Sequence, residues 1–213
     1  MKKELERRVY DFEVRAEETE SGNIITGRPI VYGSWTNIGG YYDEIIEHGA
    51  LDHTDLRDVR FLVNHDMSKI PLARSRRNNS NSTMQLIVDN EGLSIKVLLD
   101  TENNSEARAL YSAVQRGDIT GMSFAFSVSD EEWDDINAEM PKRHIKGISS
   151  VVEVSAVTFP AYESTEIDAR SKETLESARQ AVETARQQRE QSVDTDLELA
   201  KAKFDFKSKL GGN

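Results

Sequence analysis

Up to about Tyr162 the apolar residues come in short runs with a period of two. Tyr10, Phe12 and Val14 alternate with Asp11 and Glu13. Met84, Leu86 and Val88 alternate, then Leu93, Ile95, Val97 and Leu99, with Asn90-Glu91-Gly92 between the two runs. Alternation sends successive side chains to opposite faces of a strand, and two such runs joined by a glycine-containing turn predict a β-hairpin. Met122, Phe124, Phe126 and Val128 predict another strand and Val151–Phe159 one more, while Ile24-Ile25, Ile30-Val31-Tyr32 and Phe61-Leu62-Val63 are apolar runs of strand length. Many short strands with close turns predict a β-barrel or sandwich. The period changes at Ala107, Leu110, Tyr111 and Val114, spaced i, i+3, i+4, i+7 as on one helix face. Asn104 or Ser105 would cap the start of that helix and Gly117 its end. A second, shorter helix is predicted around Ala50–Leu56.

The pattern breaks near Tyr162. All four prolines lie before it, and Glu163–Leu210 contains neither glycine nor proline. That composition, rich in Glu, Ala, Arg, Gln and Lys, favours helix. Its only apolar stripe in Ser171–Ser192 is Leu175, Ala178, Val182 and Ala185, too narrow to build a core. The expected organisation is therefore a folded domain over residues 1–162 and a charged helical extension over residues 163–213. The extension reads either as a segment that docks on a partner or another copy, or as a loosely helical linker.

Charge narrows the functional classes. The net charge of −11 argues against a general affinity for nucleic acid or anionic lipid, which needs a basic face. The absence of cysteine removes disulfides, thiol nucleophiles and thiolate zinc sites. No run approaches the roughly 18 apolar residues of a membrane span, and the polar start of the chain does not resemble a signal peptide. The chain is expected to be intracellular rather than secreted.

Three residues stand out chemically. His65 follows the apolar run Phe61-Leu62-Val63, so it sits at the end of a predicted buried strand, able to titrate near neutrality; a purely local hydrogen bond explains such a histidine equally well. Ser123 shares a strand face with Ala125, Ser127 and Ser129, all small, which leaves room for a histidine and a substrate. A half-buried strand with small polar residues outward gives the same pattern. Glu153 lies within Val151–Phe159, where a carboxylate is costly unless it is paired or the strand faces water. A serine, a histidine and an acid are the components of nucleophilic acyl transfer. His48, His53 and His65 lack the i, i+4 spacing of a helical zinc motif, so neither a metal nor another cofactor is expected.

A resemblance joins these residues. The stretches Gly27–Trp35, Tyr42–Leu51, Phe61–Asp66, Glu91–Leu93, Arg116–Phe126 and Glu153–Tyr162 are together similar to the prohead (capsid-maturation) serine protease family of tailed bacteriophages. The resemblance implies a mainly β fold with helices, a closed or partly closed β-barrel of the herpesvirus-assemblin type surrounded by helices, with the C-terminal helical extension added. It implies a serine endopeptidase, packaged in the procapsid in the host cytoplasm, that cleaves scaffold segments from the major capsid protein and commonly itself. Carried over by position, His65 is the general base, Ser123 the nucleophile and Glu153 the third triad member, with His144 as the alternative third residue. Herpesvirus relatives carry a second histidine at the third position and an arginine pair shortly after it; Phe159-Pro160-Ala161-Tyr162 contains no arginine, which leaves backbone N–H groups or Arg170 as oxyanion donors. A homodimer or higher oligomer is implied by the same relatives, with no nucleic-acid or membrane partner. The competing class is a non-catalytic scaffold or assembly factor that keeps the fold.

Overall fold

The structure, a computed structural model, describes residues 5–10, 14–78, 81–158 and 169–210. In chain order the strands are β1 (Glu6–Tyr10), β2 (Val14–Thr19), β3 (Gly22–Val31), β4 (Thr36–Ile38), β5 (Tyr42–Ile46), β6 (Arg60–Val63), β7 (Ala73–Arg74), β8 (Met84–Asp89) and β9 (Gly92–Leu99). Helix α1 (Ser105–Arg116) precedes the long strands β10 (Gly121–Asp134) and β11 (Lys142–Val157), and α2 (Ala169–Leu210) follows them.

The alternating runs build a four-stranded antiparallel sheet in the order β2-β3-β9-β8. The predicted hairpin is β8 and β9, with Asp89 opposite Gly92. Its turn is held by Asp89 Oδ1, which accepts from the N–H groups of Glu91 (2.8 Å) and Gly92 (3.1 Å). Glycine is required at position 92: φ is +140°, and a Cβ there would lie 2.0 Å from the Ile30 carbonyl oxygen. Helix α1 runs where the 3.6-residue period predicts it. Asn104 Oδ1 accepts from Glu106 and Ala107 N–H, Gly117 closes the helix at φ +77°, and Ala107, Leu110 and Val114 are buried. Such a cap is worth about 1 kcal/mol.

The second sheet is seven-stranded and centres on β10 and β11. β1 pairs antiparallel with β10 on one side. On the other side the edge of β11 is divided: residues 142–145 pair in parallel with β5, and residues 153–156 pair in parallel with β6. β4 and β7 extend these two branches. The core lies between the two sheets, with Ile25, Met84, Leu93 and Val97 facing Met122, Phe124, Phe126 and Val154.

Three expectations change. The fold is mostly β with a few helices, as expected, but the sheets do not close into a barrel. Closure needs one continuous edge with a common stagger, whereas the edge of β11 forks between two partners. Residues 50–53 form turns and Asp55 an isolated bridge to Ser150, not a helix. Their hydrogen bonds are of the i to i+3 kind (Ala50 N–H to Glu47 O, Thr54 N–H to Leu51 O), and Asp55 N–H and Thr54 Oγ1 donate to carbonyls of β11 instead. The apolar stripe of α2 does not wait for a partner. Ala178 and Val182 are buried against Ile38, Tyr42 and Ile136 of the same chain, and Arg186 donates to the carbonyls of Ile136 (2.9 Å) and Ala138 (3.3 Å). The composition break at Tyr162 lies outside the described residues, as do Phe12 and Phe159. No described helix is long and apolar enough to cross a membrane.

Candidate active site

His65 stands two residues beyond the end of β6, on a turn with unusual backbone. Val63 C=O accepts from Asp66 N–H at 3.2 Å, and both central residues have positive φ, Asn64 at +52° and His65 at +57°. A turn of this shape normally takes Asn-Gly. A histidine in the glycine position costs on the order of 1 kcal/mol, and the neighbouring contacts hold it there. Asn64 N–H donates to Ala156 O at 2.9 Å, and Asn64 Oδ1 accepts from Thr158 N–H at 3.0 Å. The turn is thus clamped to the end of β11.

Glu153 meets the ring. Its Oε1 is in hydrogen-bond contact with His65 Nδ1, and its Oε2 accepts from Ser155 Oγ at 2.6 Å. Ser155 Oγ also accepts from the His65 backbone N–H at 3.1 Å. Glu153 is fully buried, so the pairing satisfies a carboxylate that the apolar strand could not otherwise tolerate. Glu153 and Ser155 are two apart on β11 and therefore on one face. The two-residue spacing from Glu153 is the signal in the sequence that places Ser155 beside it.

Ser123 lies on the same face. On β10 it is the cross-strand partner of Ser155, and Ala125 is the partner of Glu153. Both Ser123 and Ala125 are fully buried. The Ser123 hydroxyl does not bond to the histidine; it donates to the backbone carbonyl of Arg8 on β1 at 2.7 Å. His65 Nε2 is buried and makes no hydrogen bond among the described residues. Three candidates far apart in sequence therefore share one patch: two are joined, and the third is turned to another partner.

A second polar cluster lies close by. Arg8 grips Glu44 through Nε (2.5 Å) and one terminal nitrogen (2.6 Å), and donates to Tyr42 OH at 3.0 Å and Glu6 at 2.7 Å. Arg143, opposite Glu44 on β11, donates to Glu44 at 3.0 Å, to Glu6 at 2.6 and 2.8 Å, and to Glu131 at 2.7 Å. Burial alone would raise the Glu6 carboxyl, but the two guanidinium groups outweigh it and hold the group at about 2. Burial pushes the Tyr42 phenol up to about 12. Burial would lower Arg8, yet Glu44 holds it well above the ordinary arginine range. None of these charges was singled out from sequence, because each looks like a surface residue until the strands are assembled.

The other histidines lie elsewhere. His144, on the opposite half of β11, pairs with Glu47 Oε1 through Nδ1 at 2.7 Å; Asp134 Oδ2 is 3.2 Å from Nε2 but off the donor's line. His48 and His53 are exposed. Among the described residues, no group of three or more His, Asp or Glu is arranged to hold a metal. The side chains of residues 159–170, the stretch expected to supply oxyanion donors, are not among those described. An open cavity of about 410 Å³ lies between Asp55, Arg57, Asp58, Arg77 and the middle of β11, and none of the three candidates lines it.

A sequence profile of the caudovirus prohead serine protease family matches residues 10–180. The prohead protease of Enterobacteria phage HK97 is 28% identical over 170 residues, which span 76% of this chain and 70% of that protein. Among solved structures, the bacteriophage T4 capsid assembly protease aligns with a TM-score of 0.44 and 12% identity, covering 75% of this chain and 100% of that one.

Proposed function

Since the chain belongs to the caudovirus prohead serine protease family, and is thus a serine protease of capsid maturation, we propose that Ser123, His65 and Glu153 are the triad that performs its cleavage. The observation that carries this reading is the contact between His65 Nδ1 and the buried Glu153 Oε1, on the sheet face that also bears Ser123. Glu153 fixes the tautomer with the proton on Nδ1, which leaves Nε2 as the base. The Ser123 hydroxyl turns from Arg8 O towards Nε2, gives up its proton, and Oγ attacks the scissile carbonyl carbon. The tetrahedral intermediate collapses as the imidazolium returns the proton to the leaving amine. Water then enters, loses a proton to Nε2 and attacks the acyl carbon; the imidazolium returns that proton to Oγ as the Oγ–acyl bond breaks, releasing the carboxylic acid and restoring Ser123. Ser155 holds the second oxygen of Glu153, so the carboxylate accepts from both sides while the imidazolium forms.

The substrates in this reading are the major capsid protein, at its scaffold segment, and the chain itself. The enzyme works inside the procapsid after assembly in the host cytoplasm, as a homodimer or higher oligomer, with no nucleic acid or membrane bound. Residues 1–162 serve as the protease unit. In the extension over residues 163–213, the stretch of α2 beyond Arg186 engages scaffold or capsid protein during packaging.

The test is co-expression with the major capsid protein, read by mass spectrometry. Ser123→Ala leaves the protein folded and abolishes processing of both the capsid protein and the chain itself. Continued processing by that variant would remove Ser123 from the role of nucleophile.

A further inference from the structure

β1 occupies the stretch of the β10 edge around Ser123, from Glu6 opposite Phe126 to Tyr10 opposite Met122. An edge with a reactive residue at its middle is where an extended peptide adds as a further strand. The Ser123 hydroxyl is 2.7 Å from the Arg8 carbonyl oxygen, so β1 presents a peptide carbonyl to it as a docked segment would. The Arg8 side chain is seated among Glu44, Tyr42 and Phe126, with its guanidinium 5.5 Å from the Phe126 ring centre. Glu44 lies on β5, not on β1, so this anionic seat belongs to the body of the fold. The family match begins at residue 10 and leaves Glu6–Val9 outside it. With β1 in place Ser123 has no exposed surface.

We infer that the β10 edge is the substrate-docking edge, that it accepts an extended segment carrying an arginine or lysine in the place of Arg8, and that β1 is an internal occupant which keeps the site closed until it is displaced. The inference rests on Ser123 being the nucleophile. An occupied site lowers reactivity by the fraction of time that β1 is bound. Arg8, tied to Glu44 and Glu6, is the pin.

The experiment uses the full chain with a cross-strand cysteine pair, Arg7→Cys with Ala125→Cys, at positions opposite one another in the ladder. The natural chain has no cysteine, so this pair has no competitor. Labelling of Ser123 by a fluorophosphonate probe is followed with the pair oxidised and reduced. Oxidation locks β1 and slows labelling at least about tenfold, and reduction restores it; Arg8→Ala in the cysteine-free chain releases β1 and speeds labelling by about the same factor. A free peptide of sequence Leu5–Tyr10 slows labelling of the reduced variant, and the same peptide with Arg8→Glu does not. Equal labelling in both redox states overturns the occupant, and equal competition by the two peptides overturns the basic seat. If Arg8→Ala does not fold, the cysteine pair decides alone. No labelling of Ser123 in any form, with the capsid protein still processed, would instead reject Ser123 as nucleophile.

Discussion

Two buried polar clusters share β10 and β11, and they are completed differently. In the cluster of Glu6, Arg8, Tyr42, Glu44, Glu131 and Arg143, each charge meets at least one opposite charge, and strands β1, β5, β10 and β11 are tied together by it. In the cluster of His65, Ser123, Glu153 and Ser155, Glu153 is satisfied from both sides, yet among the described residues His65 Nε2 has no hydrogen-bond partner and the Ser123 hydroxyl rests on a backbone carbonyl. A closed network of charges rigidifies a fold, because removing one member strands the others. A buried polar atom left without a partner calls for an explanation, and the role of general base proposed for His65 supplies one. The lesson is that burial and charge alone do not separate structure from chemistry: His144 Nε2 also lacks a hydrogen bond among the described residues, and what sets His65 apart is its contact with a buried carboxylate on the face that bears Ser123.

That contrast can be broken, most sharply at the histidine. His65→Ala lowers kcat by about 10⁴–10⁶ while the chain still folds, and Glu153→Gln lowers it by about 10²–10⁴, since the amide no longer fixes the tautomer. Steady-state cleavage of a capsid-protein fragment measures both, and a fully active Glu153→Gln enzyme would move the third role to His144 or to no residue. Glu44→Ala does the reverse. It leaves two buried guanidinium groups short of a partner, costs about 3–5 kcal/mol and lowers the melting temperature on the order of 10 °C. Calorimetry checks it, and a shift of only a degree or two would mean that the network is not holding the strands.

Glu6 gives a gentler test. Its folded carboxyl sits at about 2 against an ordinary 4.5, so only the unfolded chain takes up a proton as pH falls through that interval. Its contribution to stability is full above about 4.5 and is lost as pH falls towards 2. Glu6→Gln should flatten the stability profile across that window, as followed by denaturant titrations at each pH. The smallest effect is expected at His144, whose acidic partners Glu47 and Asp134 are partly exposed. His144→Gln should change stability by less than about 0.5 kcal/mol and leave cleavage intact.

The sequence by itself determined the local elements and the types of the candidate site residues. The period-two runs became β8, β9 and β10, the 3.6-residue stripe became α1 with Asn104 and Gly117 at its ends, and the apolar setting of Glu153 matched a buried carboxylate. These depend on neighbours within a few positions, so spacing suffices to read them. Only the tertiary structure decided that β11 forks between β5 and β6, that Arg8, Glu44 and Arg143 are interior charges, and that β1 lies over Ser123. Each of these joins residues dozens of positions apart through strand pairing, and no local pattern records which edge a strand will find. A charged residue on a short strand reads the same whether that edge meets water or another strand.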